Sequence, residues 1–179
     1  MNTISTRDEL ITLLPKRMKI AELGVFDGSF SSLLIKICDP QYIYLVDVFE
    51  GVTCSGDKDG NNIRWLNVEE QFHIISEYYL TNPYVKVVKS TSEKFLLGLP
   101  DGFLDAVYID ADHAYPSVLK DLELSLIKVR KGGFIMGHDF TSQLHPGVVQ
   151  AVEEFCVNRG KKISVLTQDR CPTFVIIND

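Results

Sequence analysis

The sequence predicts an α/β fold, a three-layer αβα sandwich around a seven-stranded, mostly parallel sheet that ends in a C-terminal antiparallel hairpin. Short apolar segments alternate with amphipathic helical segments along most of the chain, and the last two apolar segments have only a short connection between them. Alternation implies right-handed crossovers and parallel strands with helices on both faces. A short connection cannot join parallel neighbours, so the final pair should be antiparallel.

The elements follow one another along the whole chain, which is expected to form one domain over residues 1–179. An amphipathic N-terminal helix is predicted within residues 1–17, with Ser5 or Thr6 as its cap and Pro15 as its stop. Strands are predicted at residues 18–23, 42–46, 85–88, 104–109, from a turn at Gly132 and Gly133 through 136, 163–166 and 173–177. Further helices are predicted at residues 31–37, 68–80, 92–97, 116–129 and 146–158.

Residues 51–65 interrupt this alternation with a polar, glycine-rich insertion. Long loops in compact domains are usually functional or disordered, so the insertion is a candidate lid or substrate-recognition loop. Residues 57–61 are superficially similar to a calcium loop, but the glycine stands at the fourth place and Val68 replaces the bidentate glutamate. A flexible loop is therefore predicted, and Trp65 either anchors it or fills the core.

Composition limits the function classes. The formal net charge of −6 and the sequence pI of about 5.2 argue against a nucleic-acid or anionic membrane partner and favour a small molecule. The apolar N-terminal stretch is too short for a membrane span and carries acids, unlike a secretory signal. Four widely spaced cysteines without a C-x-x-C pair predict free thiols and a cytoplasmic location. Nothing in the sequence predicts the oligomeric state.

Residues 21–32 are the main candidate for ligand binding. An apolar strand leads into a turn bracketed by Gly24 and Gly28, and then into a helix whose first backbone amides, around Ser31, are free to face a ligand. A dinucleotide fingerprint requires a central glycine for the approach of a pyrophosphate, and Phe26 stands at that place. A plain tight turn between strand and helix is the alternative.

The pattern E-x-G-x-x-x-G of this turn resembles motif I of the class I S-adenosylmethionine-dependent methyltransferases. The resemblance implies that Glu22 and Gly24 lie near the methionine part of the cofactor and that Gly28 clears space at the turn. Asp47 ends the second strand at a distance typical of an acid that binds ribose hydroxyls, since a carboxylate can accept two such hydrogen bonds. Its alternative role is that of a solvated strand end or a helix cap.

Two further groups of polar residues follow predicted strands. Ser90, Thr91 and Ser92 follow the third strand, where they either contact an adenine edge or cap the next helix. The fourth strand ends at Asp110, with His113 close behind, and the fifth ends at His138 and Asp139. Adjacent parallel strands would bring Asp110, His138 and Asp139 together as three possible metal ligands. A structural hydrogen-bonded pair of His138 and Asp139 is the alternative.

Longer passages extend the resemblance over residues 18–155. The segments LDAVYIDADHAYPSVLKDLEL, KGGFIMGHDF and HPGVVQAVEEF, with DVFEG at 47–51, resemble the small-molecule O-methyltransferases grouped around macrocin and related sugar methyltransferases. This implies a Rossmann-like methyltransferase fold, S-adenosyl-L-methionine as cofactor, and O-methylation of a sugar or secondary metabolite. In divalent-metal members, acids at the positions of Asp110, His138 and Asp139 hold the ion.

His138 departs from that acidic pattern. Imidazole is a poor ligand for Mg²⁺. The alternatives are that the three residues bind Mn²⁺ or Fe²⁺, or that they bind no metal. The resemblance further implies that Asp110, with Asp139 and a metal, takes the proton from a substrate hydroxyl, with His113 as the next candidate base. Two other functions stay open: a non-catalytic module that binds S-adenosylmethionine, and an oxidoreductase that binds NAD or a nucleotide sugar.

Overall fold

Parallel strands flanked by helices form the framework of the protein. The computed structural model describes residues 1–55 and 64–179, and within them it has ten strands and six helices. The strands are β1 (Asn2–Ile4), β2 (Lys19–Leu23), β3 (Tyr42–Asp47), β4 (Val52–Ser55), β5 (Arg64–Asn67), β6 (Val85–Lys89), β7 (Leu104–Ile109), β8 (Val129–Gly137), β9 (Ile163–Thr167) and β10 (Phe174–Ile177). The helices are α1 (Arg7–Thr12), α2 (Ser29–Cys38), α3 (Val68–Tyr78), α4 (Ser92–Leu97), α5 (Tyr115–Lys128) and α6 (Pro146–Arg159).

The main sheet has eight strands in the order β1-β9-β10-β8-β7-β2-β3-β6. Only β10 is antiparallel to its neighbours β8 and β9, which confirms the mostly parallel sheet and the C-terminal hairpin. All seven predicted strands are present. The eighth, β1, was not predicted because residues 2–4 carry no apolar run; they pair in parallel with β9 and form one edge of the sheet.

Three local predictions need correction. The N-terminal helix spans only Arg7–Thr12, although Thr6 caps it as predicted, its Oγ1 accepting from the backbone N–H of Glu9 at 3.1 Å. Gly132 and Gly133 were predicted as a turn but lie inside β8, at the irregularity where its register against β7 shifts between Leu104 and Ala106. The two ends of the insertion are strands where a loop was predicted: β4 and β5 pair as an antiparallel ribbon, from Val52 opposite Asn67 to Ser55 opposite Arg64.

The calcium-like sequence at residues 57–61 and the side chain of Trp65 lie outside the part of the chain that the structure describes, so those predictions are not tested. Cys38, Cys156 and Cys171 are free thiols, as expected.

Two apolar clusters pack on opposite faces of the sheet and complete the three layers. One joins α1, α2 and α3 to strand residues such as Ile20 and Ile43. The other joins α4, α5 and α6 to residues such as Ala21 and Val107. Because side chains alternate along a strand, Ile20 and Glu22 of β2 point to the first layer, and Ala21 points to the second.

The central strands end at one level, and this positions the site. Leu23 of β2 lies opposite Val46 of β3 on one side and Ile109 of β7 on the other, and Ile109 lies opposite Gly137 of β8. In the sheet, β3 lies on one side of β2, and β7, which comes later in the chain, lies on the other side. The crevice beyond β2 is thus the topological switch point at which open sheets of this kind bind ligands.

Gly24 is the point of closest approach between these strand ends. Its φ is +93°, and a Cβ there would lie 2.0 Å from the carbonyl oxygen of Asp110 and 2.7 Å from the Cα of Ala111. Only glycine fits both the left-handed backbone and the contact. The turn after β2 is therefore packed directly on the segment after β7.

We expect Gly24→Ala to lower the free energy of unfolding by at least about 3 kcal/mol, because a backbone segment must move to admit the methyl group. Gly160→Ala is the matched control. It also has a positive φ, +61°, but no described atom lies within 4 Å of the place that its methyl group would take, so only the backbone cost of about 1–2 kcal/mol applies. Urea denaturation measures both. Equal losses would show that the contact with Asp110 is unimportant.

Candidate active site

A cavity of about 970 Å³ opens at the switch point. Its lining comes from the segments that follow β2, β3, β6 and β7, together with α1 and α5. Most predicted site residues line it: Glu22, Gly24, Asp47, Ser90, Thr91, Ser92, Asp110 and His113. Gly28, Ser31, His138 and Asp139 are not part of this lining.

The side chain of Asp47 accepts hydrogen bonds from the backbone of the glycine turn. Its Oδ2 accepts from the backbone N–H groups of Val25 at 2.8 Å and Phe26 at 3.1 Å, and its Oδ1 accepts from Phe49 at 2.8 Å. Hydrogen bonds to a charged acceptor are stronger than neutral ones, so this carboxylate holds the turn in shape. The sequence suggested a ligand-binding acid, and this structural role was missed.

Gly28 lets the turn join α2. It is the N-cap residue of that helix with φ +77°, and a Cβ there would lie 3.2 Å from Cδ1 of Ile75. Ser31, in the first turn of α2, is fully buried, and its Oγ has no hydrogen-bond partner among the described residues. The Ser31 hydroxyl is nevertheless close enough to the carboxyl group of Glu22 to lower the pKa of that acid.

Glu22 lies beneath the turn and is 1% exposed. Its Oε2 has no hydrogen-bond partner within the described part of the chain. Burial raises the pKa of Glu22 to about 8, and the nearby carboxylates of Asp110 and Asp47 add to the increase. The residue is therefore a neutral acid at pH 7 that can donate to, or become ionised beside, a polar ligand group.

Arg7 reaches the same cavity from the first turn of α1. Its guanidinium lies 4.1 Å from the ring centroid of Phe30, and Nη1 is 3.9 Å from Oδ2 of Asp110. Its backbone N–H donates to Asp169 Oδ2 at 2.9 Å, which ties the N-terminal segment in place. Sequence analysis placed Arg7 in a helix and had no signal for its position, which depends on the pairing of β1 with β9.

The three hydroxyl residues after β6 have separate structural roles. Thr91 caps α4, its Oγ1 accepting from Lys94 N at 3.2 Å, so the capping interpretation holds for this residue. Ser92 Oγ donates to Oδ1 of Asp121 at 2.6 Å, and burial raises the pKa of Asp121 to about 6. Ser90 N donates to the carbonyl of Asp47 at 2.9 Å, which fixes this segment beside the acid of β3.

Asp110, His138 and Asp139 converge as predicted. They present one ligand atom each, and all three atoms lie within 4.8 Å of one another. Nδ1 of His138 is 3.6 Å from Asp110 Oδ2 and 3.3 Å from Asp139 Oδ1. Two carboxylates and one imidazole form a donor set that suits Mn²⁺ or Fe²⁺ better than Mg²⁺, so the residues fit a divalent transition metal.

Histidine side chains surround Asp139. Nε2 of His113 lies 2.8 Å from Asp139 Oδ2, and Nε2 of His145 lies 3.8 Å from Oδ1. Burial alone would raise the pKa of Asp139, but the imidazoles of His113 and His138 outweigh it and hold the pKa well below its usual range. The carboxylates of Asp110 and Asp139 raise the pKa of His113 to about 10, so His113 keeps its proton at neutral pH. Sequence analysis missed His145.

The sequence of the segment that forms this site matches a known protein family. Residues 21–140 match the family model described as "Methyltransferase domain". No curated protein sequence matches the chain. Among the described residues, no helix combines the length and the apolar character that crossing a membrane requires.

Many solved structures share the fold at low sequence identity. A Staphylococcus aureus protein described as a caffeoyl-CoA O-methyltransferase is 17% identical, with a TM-score of 0.65 over 97% of this chain and 85% of that one. The N-methyltransferase NodS from Bradyrhizobium japonicum WM9 is 11% identical, with a TM-score of 0.63 over 96% and 92%. Aeropyrum pernix fibrillarin, solved with natively bound S-adenosyl-L-methionine, is 14% identical, with a TM-score of 0.61 over 95% and 73%. These likenesses show the fold alone.

We expect Glu22 to make stability fall as pH rises from about 4.5 to 8. In the unfolded chain the acid ionises near its ordinary pKa of 4.5, whereas in the folded protein it keeps its proton up to about pH 8. Between these values the unfolded state binds fewer protons, so rising pH favours unfolding, by roughly 5 kcal/mol over the whole range. Glu22→Gln, which mimics the neutral acid, should remove this contribution.

Urea denaturation at pH 5 and pH 8 tests this expectation. The stability of Glu22→Gln relative to the wild type should increase by a few kcal/mol between the two pH values, whereas the exposed control Glu153→Gln should show no such change. If Glu22→Gln and the wild type have the same pH dependence, Glu22 is ionised in the folded protein at neutral pH.

Proposed function

The chain belongs to the methyltransferase domain family, whose class I members use S-adenosylmethionine, and from this premise we propose that it methylates a hydroxyl oxygen of a small molecule. The observation that carries the proposal is a single cavity in which the glycine turn held by Asp47 faces the acid Asp110. The glycine turn suits the methyl donor, and Asp110 suits activation of a hydroxyl. The chain itself is a class I S-adenosylmethionine-dependent methyltransferase by family.

The polar groups of the cavity match the parts of the cofactor in order. The methionine ammonium would lie near the unpartnered Oε2 of Glu22, and its carboxylate near Arg7. Asp47 would bind the ribose: a carboxylate offers about four acceptor positions, and backbone amides occupy three. The adenine would lie towards Ser90, Thr91 and Ser92, which line the cavity at this edge.

The charge of the lining supports a sulfonium cofactor over a dinucleotide. Acidic side chains outnumber basic ones in the lining of the cavity, where Arg7, Lys120 and the protonated His113 are the positively charged groups among the described residues. Apart from Glu22, which is neutral at pH 7, the acidic members are Asp27, Asp47, Glu50, Glu93, Asp110, Asp112 and Asp121. Such a field attracts the cationic sulfonium and repels the two phosphates of NAD. It also supports a small acceptor over RNA, together with the net charge of −6.

Methyl transfer needs little chemistry from the protein beyond positioning. Alignment of the acceptor oxygen with the methyl group can supply roughly 7–11 kcal/mol, and a general base adds about a hundred- to ten-thousand-fold in rate. Asp110 borders the cavity and is the group proposed to orient the hydroxyl and accept its proton. His113, with its raised pKa, is proposed to stay protonated and to keep Asp139 ionised.

A divalent ion is proposed as an assistant of this step. Asp110, His138 and Asp139 would hold it, and it would supply a lowered pKa for the acceptor hydroxyl. The ribbon of β4 and β5 is proposed as the lid or acceptor-recognition segment, because Glu50 and Val68, which flank it in sequence, line the cavity.

Binding and turnover assays test the function. The purified protein is titrated with S-adenosylmethionine and, separately, with NAD⁺, and release of S-adenosylhomocysteine is followed with a panel of sugars and phenols. We expect saturable binding of the sulfonium compound, and turnover with at least one acceptor. Binding of NAD⁺ alone would end the proposal, and binding of S-adenosylmethionine without turnover on a broad panel would favour a non-catalytic binding module.

We expect Asp47→Ala to weaken S-adenosylmethionine binding about 10- to 100-fold. The substitution removes the proposed ribose contact and the hydrogen bonds from backbone N–H groups that shape the turn. Asp101→Ala is the matched control; it removes a carboxylate that pairs with Lys128 away from the cavity. Calorimetric titration at one salt concentration measures both variants. An unchanged affinity in Asp47→Ala would refute the assignment of the turn as the cofactor site.

A further inference from the structure

The tertiary structure assembles a second set of metal-binding side chains that overlaps the first. His113, Asp139 and His145 present one ligand atom each, all within 4.8 Å of one another. We propose that these three residues form a two-histidine, one-carboxylate site for a borderline transition metal ion such as Zn²⁺. The site is separate in chemistry from the set of Asp110, His138 and Asp139, with which it shares only Asp139.

The distances suit a small tetrahedral ion. Zinc lies about 2.0–2.1 Å from imidazole nitrogen and carboxylate oxygen, so two ligands at the tetrahedral angle stand roughly 3.3 Å apart. Asp139 is 2.8 Å from His113 Nε2 through one oxygen and 3.8 Å from His145 Nε2 through the other. These two distances lie on either side of the ideal separation.

The backbone is built to bring the two imidazoles together. His113 lies in the loop after β7, and His145 precedes α6, yet their ring centroids are 4.2 Å apart. Gly147 permits this approach, because a Cβ there would lie 2.6 Å from the carbonyl oxygen of His113 and 2.8 Å from the backbone nitrogen of Tyr115. A side chain at position 147 would push the start of α6 away from the loop.

His145 is placed for a ligand role and not for capping. It occupies the N-cap position of α6, where Ser, Thr, Asp or Asn would normally satisfy free amides, and its side chain makes no capping hydrogen bond. Nε2 of His113 lies 2.8 Å from Oδ2 of Asp139, with which it forms an ion pair. A bound ion would take the place of the proton between these two atoms, because a histidine that ligates a metal is neutral.

The donor set selects the metal. Two imidazoles and one carboxylate suit Zn²⁺ and its neighbours, whereas Mg²⁺ requires oxygen ligands. Three protein ligands leave a fourth position open, as in zinc sites that bind water or substrate. Of the three proposed ligands, His113 lines the cavity. The proposal needs no bound cofactor and does not depend on the proposed methyl transfer.

Metal titration of the purified full chain tests this site. Zn²⁺ is added in competition with a chromophoric chelator, and Co²⁺ is used as a spectroscopic probe for tetrahedral coordination. We expect one tightly bound Zn²⁺ per chain, and an intense visible Co²⁺ spectrum. His145→Asn removes the imidazole but supplies a good N-cap for α6. It should weaken Zn²⁺ binding by more than about 100-fold, beyond the usual effect of residues that only support ligands.

Two control variants separate this site from its neighbour. His138→Ala removes a residue of the other set and should change Zn²⁺ affinity only a few-fold, and the exposed His73→Ala should leave it unchanged. Thermal unfolding of each metal-free variant checks that it is folded, and a folded His145→Ala must repeat the loss. The proposal is overturned if the wild type binds no Zn²⁺, or if His138→Ala loses as much affinity as His145→Asn. S-adenosylmethionine binding by His145→Asn, measured in parallel, reports on the proposed function independently.

Discussion

The close packing of Gly24 against the backbone of Asp110 and Ala111 is the contact on which the rest of the site depends. It joins the turn after β2 to the segment after β7, and hydrogen bonds from Gly24 N to Val46 O at 2.8 Å and from Asp110 N to Leu23 O at 2.7 Å lock the same strand ends. The turn that suits a cofactor and the acid that suits an acceptor are thereby held at a fixed separation. Asp47 completes this arrangement from β3 through three backbone amides.

The site stores unfavourable electrostatics that the fold must compensate. Glu22 is buried as a neutral acid, whereas Asp139 is buried as an anion with imidazoles around it. Burial of Glu22 raises its pKa, whereas the ionised Asp139 requires His113 to hold a proton beside two carboxylates. Strongly shifted pKa values of this kind are typical of functional sites. The apolar clusters on the two faces of the sheet stabilise the fold against this cost.

The fold itself does not select the methyl acceptor. Solved proteins of this fold include an N-methyltransferase, a protein described as an O-methyltransferase, and fibrillarin, each with less than one fifth of the residues identical. Function on a shared fold resides in the local site. In this chain the local site includes the histidines around Asp139 and the acidic lining of the cavity, and the β4–β5 ribbon is an added element.

The strand and helix pattern by itself determined the sheet, its C-terminal hairpin and the convergence of Asp110, His138 and Asp139, because periodicity and parallel alternation place strand ends at one edge. The glycine turn was readable for the same local reason. Only the tertiary structure decided the positions of Arg7 and His145, the added strand β1 and the grip of Asp47 on the turn. These depend on contacts between residues far apart in sequence, such as Arg7 N to Asp169 and Gly147 against His113, which no local spacing encodes.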